Sequence, residues 1–245
     1  MPDATVGLLT VACGNSTLDC FRHDDAGRVR LDSAAPDAAR LSTFLRERPL
    51  VRCVAVSVVP NGLQPLAALL LPMGVSLQQA GIDLPCPLPL AYETPHTLGA
   101  DRWVAALAAY RRHGRAVVVD CGSATTVNLV EADGTFHGGA IAPGLRAFAL
   151  GLAVATPALP APRLDAAPSV PSRSSQAAVD TGVLIGWCGL VERLVADTLR
   201  AAAGPAQVVV TGGNAERLRR HTRLRADFVP DLLHEGLRLL AGGGA

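Results

Sequence analysis

The sequence predicts an α/β protein made of two copies of one unit, each a mixed sheet flanked by helices, with a ligand cleft between the copies. Apolar strands at residues 6–12 and 116–120 each run into a small-residue turn, Cys13-Gly14-Asn15-Ser16-Thr17 in one case and Asp120-Cys121-Gly122-Ser123-Ala124-Thr125-Thr126 in the other. Short strands follow each turn as a meander, so a single pattern occurs twice. Helical stretches then lead to later β-branched runs at 51–59 and 208–210.

In order along the chain, residues 6–12 (Val-Gly-Leu-Leu-Thr-Val-Ala) read as a buried strand. Leu18 to Arg22 and Arg28 to Leu31 continue it as a meander, turned by Asp24-Asp25-Ala26-Gly27. Residues 37–47 place Ala38, Leu41, Phe44 and Leu45 at helical spacing between Pro36 and Pro49. The strand at 51–59 follows. A helix from Asp101 to Arg112 buries Trp103, Ala106, Leu107 and Tyr110 on one face. The boundary is expected at His113-Gly114, giving domains 1–113 and 114–245.

The second half opens with the strand at 116–120, then Thr125 to Glu131, then a third strand starting at Thr135 and Phe136 after Ala132-Asp133-Gly134. A glycine-rich segment at 138–145 precedes helical stretches that reach residue 200. Residues 156–175 are rich in Pro, Ala and Ser and read as a connection or helix-loop excursion. Val208-Val209-Val210 ends at Thr211-Gly212-Gly213, and a helix begins near Glu216.

Composition narrows the function classes. The 22 Lys+Arg nearly cancel the 21 Asp+Glu, so no strong field draws the protein to nucleic acid or an anionic membrane, and a small-molecule substrate is the simpler expectation. Arg217 to Arg223 is arginine-rich, but such a run is more often the solvated face of a helix. The six cysteines form no CxxC pair, which argues for buried thiols rather than structural zinc. Met1 leads into a polar stretch with no charged-then-apolar leader, and no apolar run reaches membrane-spanning length. A cytoplasmic protein with reduced thiols is expected. His96 lies beside the substrate segment described below, whereas His23, His113, His137, His221 and His234 show no ligand spacing and read as surface or capping groups.

Four segments carry candidate chemistry. The turn at Gly14, Asn15 and Ser16 has the small residues that bring amides and hydroxyls against a phosphate, although such residues also make ordinary turns. The turn after Asp120 repeats that design, and its aspartate either holds a hydrated cation or braces the turn. Gly212 and Gly213 join a strand to a helix, where a nucleotide would lie flat or the chain would simply turn tightly. In Tyr92 to Trp103, Asp101 and Arg102 open a helix beside a proline-fixed loop. They suit proton abstraction and anion capture, or merely a favourable helix dipole and a solvated cation.

Taken in order, these segments resemble the type III pantothenate kinases of the actin-like, ribonuclease H-like superfamily that includes acetate and sugar kinases and heat-shock ATPases. The resemblance rests on Gly14-Asn15-Ser16, Gly99-Ala100-Asp101-Arg102, Asp120-Cys121-Gly122-Ser123-Ala124, Gly138 to Leu145, Thr211-Gly212-Gly213 and the ending Pro230 to Leu237. It implies two duplicated actin-like domains and phosphorylation of pantothenate by ATP. Asp101 would be the general base, with Tyr92, Gly99, Ala100, Arg102 and Thr181 shaping the pantothenate pocket. Gly14, Asn15, Ser16, Gly122, Ser123, Thr125, Gly212 and Gly213 would hold the nucleotide. Asp120 would serve the metal, with Mg2+ and a monovalent cation, K+ or NH4+, as cofactors. A homodimer is implied too, with the Asp101 helix as an interface element.

Two positions depart from the family pattern. Ala12 stands where the first loop opens with aspartate, and Asn128 where the second hairpin carries one. Asp19 and Asp180 are the candidate substitutes. An active pantothenate kinase and a catalytically weakened relative with a ligand-binding or transcription-linked role therefore both stay open; a sugar or acetate kinase fits the Gly99 to Arg102 context less well.

Overall fold

Strand β1 (Leu8–Cys13) divides its side chains between two faces, as a pleated strand must. Leu9, Val11 and Cys13 enter a buried cluster with α1 (Ala38–Arg46) and α2 (Gln64–Leu70). Leu8, Thr10 and Ala12 face the other way, toward α7 (Leu232–Leu240), which packs on β1 and β4 (Arg52–Ser57). The computed structural model describes residues 7–24, 27–33 and 35–242. Val6, Asp25 and Ala26, included in the first expected strand and turn, lie outside the described residues.

The chain divides into two compact units, Met1–Arg112 with Asp231–Ala245, and His113–Pro230. In the first, β2 (Thr17–Arg22) and β3 (Gly27–Asp32) extend β1 as antiparallel neighbours, while β4 and β5 (Ser76–Gln79) run parallel to it. The sheet order is β3-β2-β1-β4-β5. The second unit repeats it with β6 (Ala116–Cys121), β7 (Ala124–Val130), β8 (Phe136–Pro143), β9 (Gln207–Thr211) and β10 (Asp227–Phe228), in the order β10-β9-β6-β7-β8. Again the first three strands are antiparallel and the last two parallel to the first.

The second core lies between this sheet and α4 (Leu145–Ala155) and α5 (Ser175–Ala201), where Val117, Val119, Val127, Val183, Val191 and Trp187 are buried. The β-branched strands thus supply one wall and the aliphatic face of a long helix the other.

Four features differ from the sequence expectations. α2, β5 and β10 were not anticipated: β5 is largely polar, β10 has two residues, and α2 is a short helix with proline at its start. Residues 138–143, a glycine-rich segment that the sequence left without an element, are the last six of the eight residues of β8. The segment after Asp231, placed by the sequence boundary with the second half, belongs to the first unit. There Gly236 meets helix α3 (Ala100–His113) so closely that a Cβ would sit 2.2 Å from the Val104 carbonyl oxygen. Finally, His234 is no surface group. It is 3% exposed, with Nδ1 2.8 Å from Thr10 Oγ1 and Nε2 3.5 Å from Asp19 Oδ2.

Candidate active site

The first unit places the expected acceptor-side residues together at the head of α3. Gly99 precedes the helix and its carbonyl accepts from Arg102 N at 3.2 Å. A Cβ on Gly99 would lie 2.6 Å from Asp101 Oδ1, so glycine there keeps the carboxylate approachable. Arg102 to Ala109 are all buried, which anchors the helix and fixes where Asp101 stands. Arg102 Nη1 donates to Tyr92 Oη at 3.2 Å, and the guanidinium carbon lies 5.6 Å from the centre of the Tyr92 ring. Ala100 opens the helix with its Cβ side against Gly81, where a second Cβ would come within 3.1 Å.

Asp101 itself is half-buried. Burial pushes its carboxyl above the ordinary aspartate value, and the backbone N–H and positive charge of Arg102 offset only part of that rise. A carboxylate poised this way accepts a proton more readily than one in water, which is the property a general base needs.

In the second unit two glycine-bearing segments, at Gly144 and at Gly212-Gly213, close around the turn that follows β6. Asp120 is the penultimate residue of that strand, in register with Thr126 on β7 and Thr211 on β9. Gly212 has φ +92°, and a Cβ on it would lie 2.2 Å from Asp120 Oδ1 and 2.7 Å from the backbone of Cys121. Gly144, at the start of α4, is equally tight: its Cβ would come 2.4 Å from the carbonyl oxygens of Gly122 and Ser123. Asn214 completes the assembly, with its backbone N–H 2.9 Å and its side-chain amide 3.2 Å from the Cys121 carbonyl. Ser123 and Gly213 are exposed at the same place. Asn214 and Gly144 were not singled out from the sequence. Their only signal was adjacency to the Gly212-Gly213 and Pro143-Gly144 punctuation.

The remaining expected residues separate. Asn15 and Ser16 are exposed in the β1–β2 turn, where Gly14 N donates to the Thr17 carbonyl at 2.9 Å. Thr125, expected at the phosphates, instead lies fully in the core, and its hydroxyl accepts from Trp187 Nε1 at 3.1 Å. Strand alternation explains this, because Thr125 shares a face with Val127 and Leu129. Thr181, on α5, is buried and accepts from Ser169 N at 3.0 Å, so its hydroxyl pins the connecting segment. Of the candidate substitute acids, Asp180 is occupied by Arg163 N, Arg163 Nε and Gln176 Nε2 at 2.7, 2.9 and 2.9 Å. Burial opposes its charge, yet these partners outweigh burial and hold its carboxyl below the usual range. Asp19 pairs in register with Ala12, but both oxygens are engaged, by Arg28 Nε and Arg30 Nε at 2.9 Å each. Asn128 is buried, with its amide donating to Thr126 Oγ1 at 3.1 Å.

No group of three or more His, Cys, Asp or Glu side chains capable of holding a metal gathers among the described residues. A single carboxylate near the end of β6, packed against Gly212, fits Mg2+ that arrives on nucleotide phosphates with its waters rather than a resident ion in a protein cage. The cysteines are free, and Cys13, Cys20, Cys53, Cys121 and Cys188 are buried. No helix among the described residues is long and apolar enough to cross a membrane. Arg219 and Arg220 are tied to Glu216 on the exposed face of α6 (Ala215–His221).

Two copies of one strand order, each with a glycine turn after its first strand, define an actin-like two-unit protein of the kind that includes sugar kinases. Solved structures agree on that fold. A conserved protein of the Baf family of transcriptional activators from Campylobacter jejuni matches with a TM-score of 0.61 at 20% identity, covering 96% of this chain and 97% of its own. A ROK family glucokinase from Streptomyces griseus matches with a TM-score of 0.54 at 12% identity, covering 96% and 100%. The sequence then specifies the family: the chain belongs to the type III pantothenate kinases, whose family model matches residues 8–197. The type III pantothenate kinase of Nitratidesulfovibrio vulgaris is 40% identical over 93% of this chain and 81% of its own. That of Syntrophotalea carbinolica is 36% identical over 76% and 74%.

Proposed function

We propose that the chain is an ATP-dependent pantothenate kinase acting in the cytoplasm at the first step of coenzyme A synthesis. The observation that carries this reading beyond family membership is Asp101, a desolvated carboxyl at the head of a buried helix, kept open by Gly99. In this mechanism Asp101 takes the proton of the pantothenate hydroxyl as its oxygen bonds to the γ-phosphorus, and the bond from that phosphorus to the β-phosphate bridging oxygen breaks to release ADP. Arg102 braces Tyr92, and with Gly99 and Ala100 they form the wall that orients the acceptor. Backbone groups of Gly122, Ser123, Gly212 and Gly213 and the exposed Asn15 and Ser16 bind phosphate oxygens. Asn214 and Gly144 hold the second turn in shape. Mg2+, together with K+ or NH4+, would neutralise the phosphate charge, and Asp120 is the residue that would orient it.

Ala12 and Asn128 support the competing reading, a catalytically weakened relative with a binding role, because each removes a family carboxylate and both Asp19 oxygens are already bonded. A coupled ADP-release assay with pantothenate, ATP, Mg2+ and K+ separates the two. Pantothenate-dependent turnover is the expected result. Its absence in folded protein, with no thermal shift on adding ATP, would establish the weakened relative instead.

The protein is further proposed to be a homodimer, through α4 and α5 rather than the Asp101 helix. Arg102 to Ala109 of α3 are already buried within the single chain. In contrast, Leu150 and Val154 of α4 and Ile185 of α5 are 53%, 80% and 40% exposed. They line up with Ala147 and Gly151 and with Gly182, Gly186 and Gly189, at spacings that form one apolar stripe per helix. A second copy of the same stripes is the self-complementary partner for such a surface. Ile185→Asp is expected to shift the protein from dimer to monomer mass in light scattering with little loss of thermal stability; a dimer that survives it would place the interface elsewhere.

A further inference from the structure

Arg217 opens the arginine-rich run of α6, yet it is held differently from its neighbours. Arg219 and Arg220 pair with Glu216 of the same helix, whereas Arg217 turns back toward the helix start and meets Asn214, three residues earlier. Its Nη1 donates to Asn214 Oδ1 at 3.2 Å, and its Nη2 pairs with the Asp165 carboxylate. Asp165 is 88% exposed, but the backbone on either side of it is pinned to α5. Arg163 N donates to Asp180 Oδ1 at 2.7 Å two residues before it, and Ser169 N to Thr181 Oγ1 at 3.0 Å four residues after it. One guanidinium fork thus spans from the connecting segment to the residue that braces the turn after β6.

The other end of the Asn214 side chain holds that turn. Its Nδ2 donates to the carbonyl oxygens of Cys121 at 3.2 Å and Gly122 at 3.4 Å, and its backbone N–H meets the Cys121 oxygen at 2.9 Å. A carboxamide has one acceptor end and one donor end. Here a donor-only guanidinium faces the acceptor end and two acceptor-only carbonyls face the donor end, so a single orientation of the amide satisfies every partner. In a planar trans peptide the C=O and the N–H point in opposite directions. The carbonyls of Cys121 and Gly122, drawn to Asn214, therefore direct the N–H groups of Gly122 and Ser123 away from it. Those are amides assigned above to the phosphates.

We infer that Arg217 is a positioning residue for nucleotide binding: by fixing the Asn214 amide it holds the Gly122 and Ser123 peptide units with their N–H groups toward the phosphates. The inference rests on the reading of this turn as the phosphate site. Arg217 itself touches neither phosphate nor acceptor in this role. Asp165 steadies the guanidinium but, as an exposed partner, adds little.

Calorimetric titration with a nonhydrolysable ATP analogue and Mg2+, alongside steady-state kinetics, tests this. Arg217→Ala should weaken analogue binding by roughly threefold to tenfold; a fully buried charged hydrogen bond would count for more, but this side chain is 38% exposed. The KM for ATP should rise in step, while the KM for pantothenate and the melting temperature stay near wild type. Asn214→Ala should cost at least as much. Adding Arg217→Ala to it should cost no more than about twofold further, because one side chain acts through the other. Arg217→Lys, which keeps a donor for Asn214 Oδ1, should recover most of the loss. Wild-type affinity in Arg217→Ala, full multiplication of the two losses in the double variant, or no recovery in Arg217→Lys would each overturn the positioning role and leave the phosphate site standing. No analogue binding by wild type would overturn the phosphate reading of the turn and this inference with it.

Discussion

Asp101→Asn is expected to reduce pantothenate phosphorylation by roughly a hundred- to ten-thousandfold, the span a general base commonly contributes. The loss should fall on kcat and kcat/KM together, because the amide fills the same space but takes no proton. Stability should move the other way or not at all. The Asp101 carboxyl is raised in the folded protein above the ordinary 3.8, so the folded state binds that proton more tightly than the unfolded chain does. Its contribution to stability is therefore present at low pH and is lost as pH rises through the folded value. At neutral pH the wild-type protein carries a partly desolvated charge that the asparagine lacks. A melting temperature at pH 7 equal to or above wild type is expected. In the wild-type enzyme the acid limb of kcat/KM should lie above pH 3.8, displaced upward by the same burial. Unchanged turnover in Asp101→Asn would remove this residue from the chemistry, and lost turnover with a collapsed melting temperature would make it merely structural.

Gly212→Ala carries the second large effect. At φ +92° an alanine is strained by about 1–3 kcal/mol before any contact is considered. Its methyl carbon would then stand 2.2 Å from Asp120 Oδ1 and 2.7 Å from Cys121 backbone atoms, neither of which is the loose end of a flexible side chain. The turn after β6 must shift, and with it the amides assigned to the phosphates. ATP affinity should fall by more than roughly tenfold, alongside a lower melting temperature, since one strained turn both stabilises and binds. Gly213→Ala is the internal comparison: nothing lies within 4 Å of the added carbon, so stability should change by no more than about 0.5 kcal/mol. If Gly212→Ala also left ATP affinity intact, the glycine would be a connection and the second turn would not be the phosphate site.

Much of this was legible from residue types in order. The repeated strand, small-residue turn and meander are visible because strand periodicity and glycine punctuation are local properties, and both sheets have the order expected of duplicated units. The Gly99 to Arg102 cluster was legible for the same reason: four neighbouring residues at a helix start stay together in any fold that forms the helix. Thr125 was misassigned by treating a turn motif as a unit. The alternation that carries Thr125 to the face of Val127 was already in the sequence, but only Trp187, 62 positions away, shows what occupies that face.

The sequence by itself determined the strands, the glycine turns, the family and the acid at the head of α3, because each depends on neighbours within a few positions. The tertiary structure alone decided which sheet the last helix covers, that Asn214 and Gly144 brace the second turn, and that both substitute acids are occupied. Those outcomes depend on which distant surfaces meet. An amphipathic helix such as α7 states that it must bury a face but not against what, and the choice was made by the fit of Gly236 to Val104 and of His234 to Thr10.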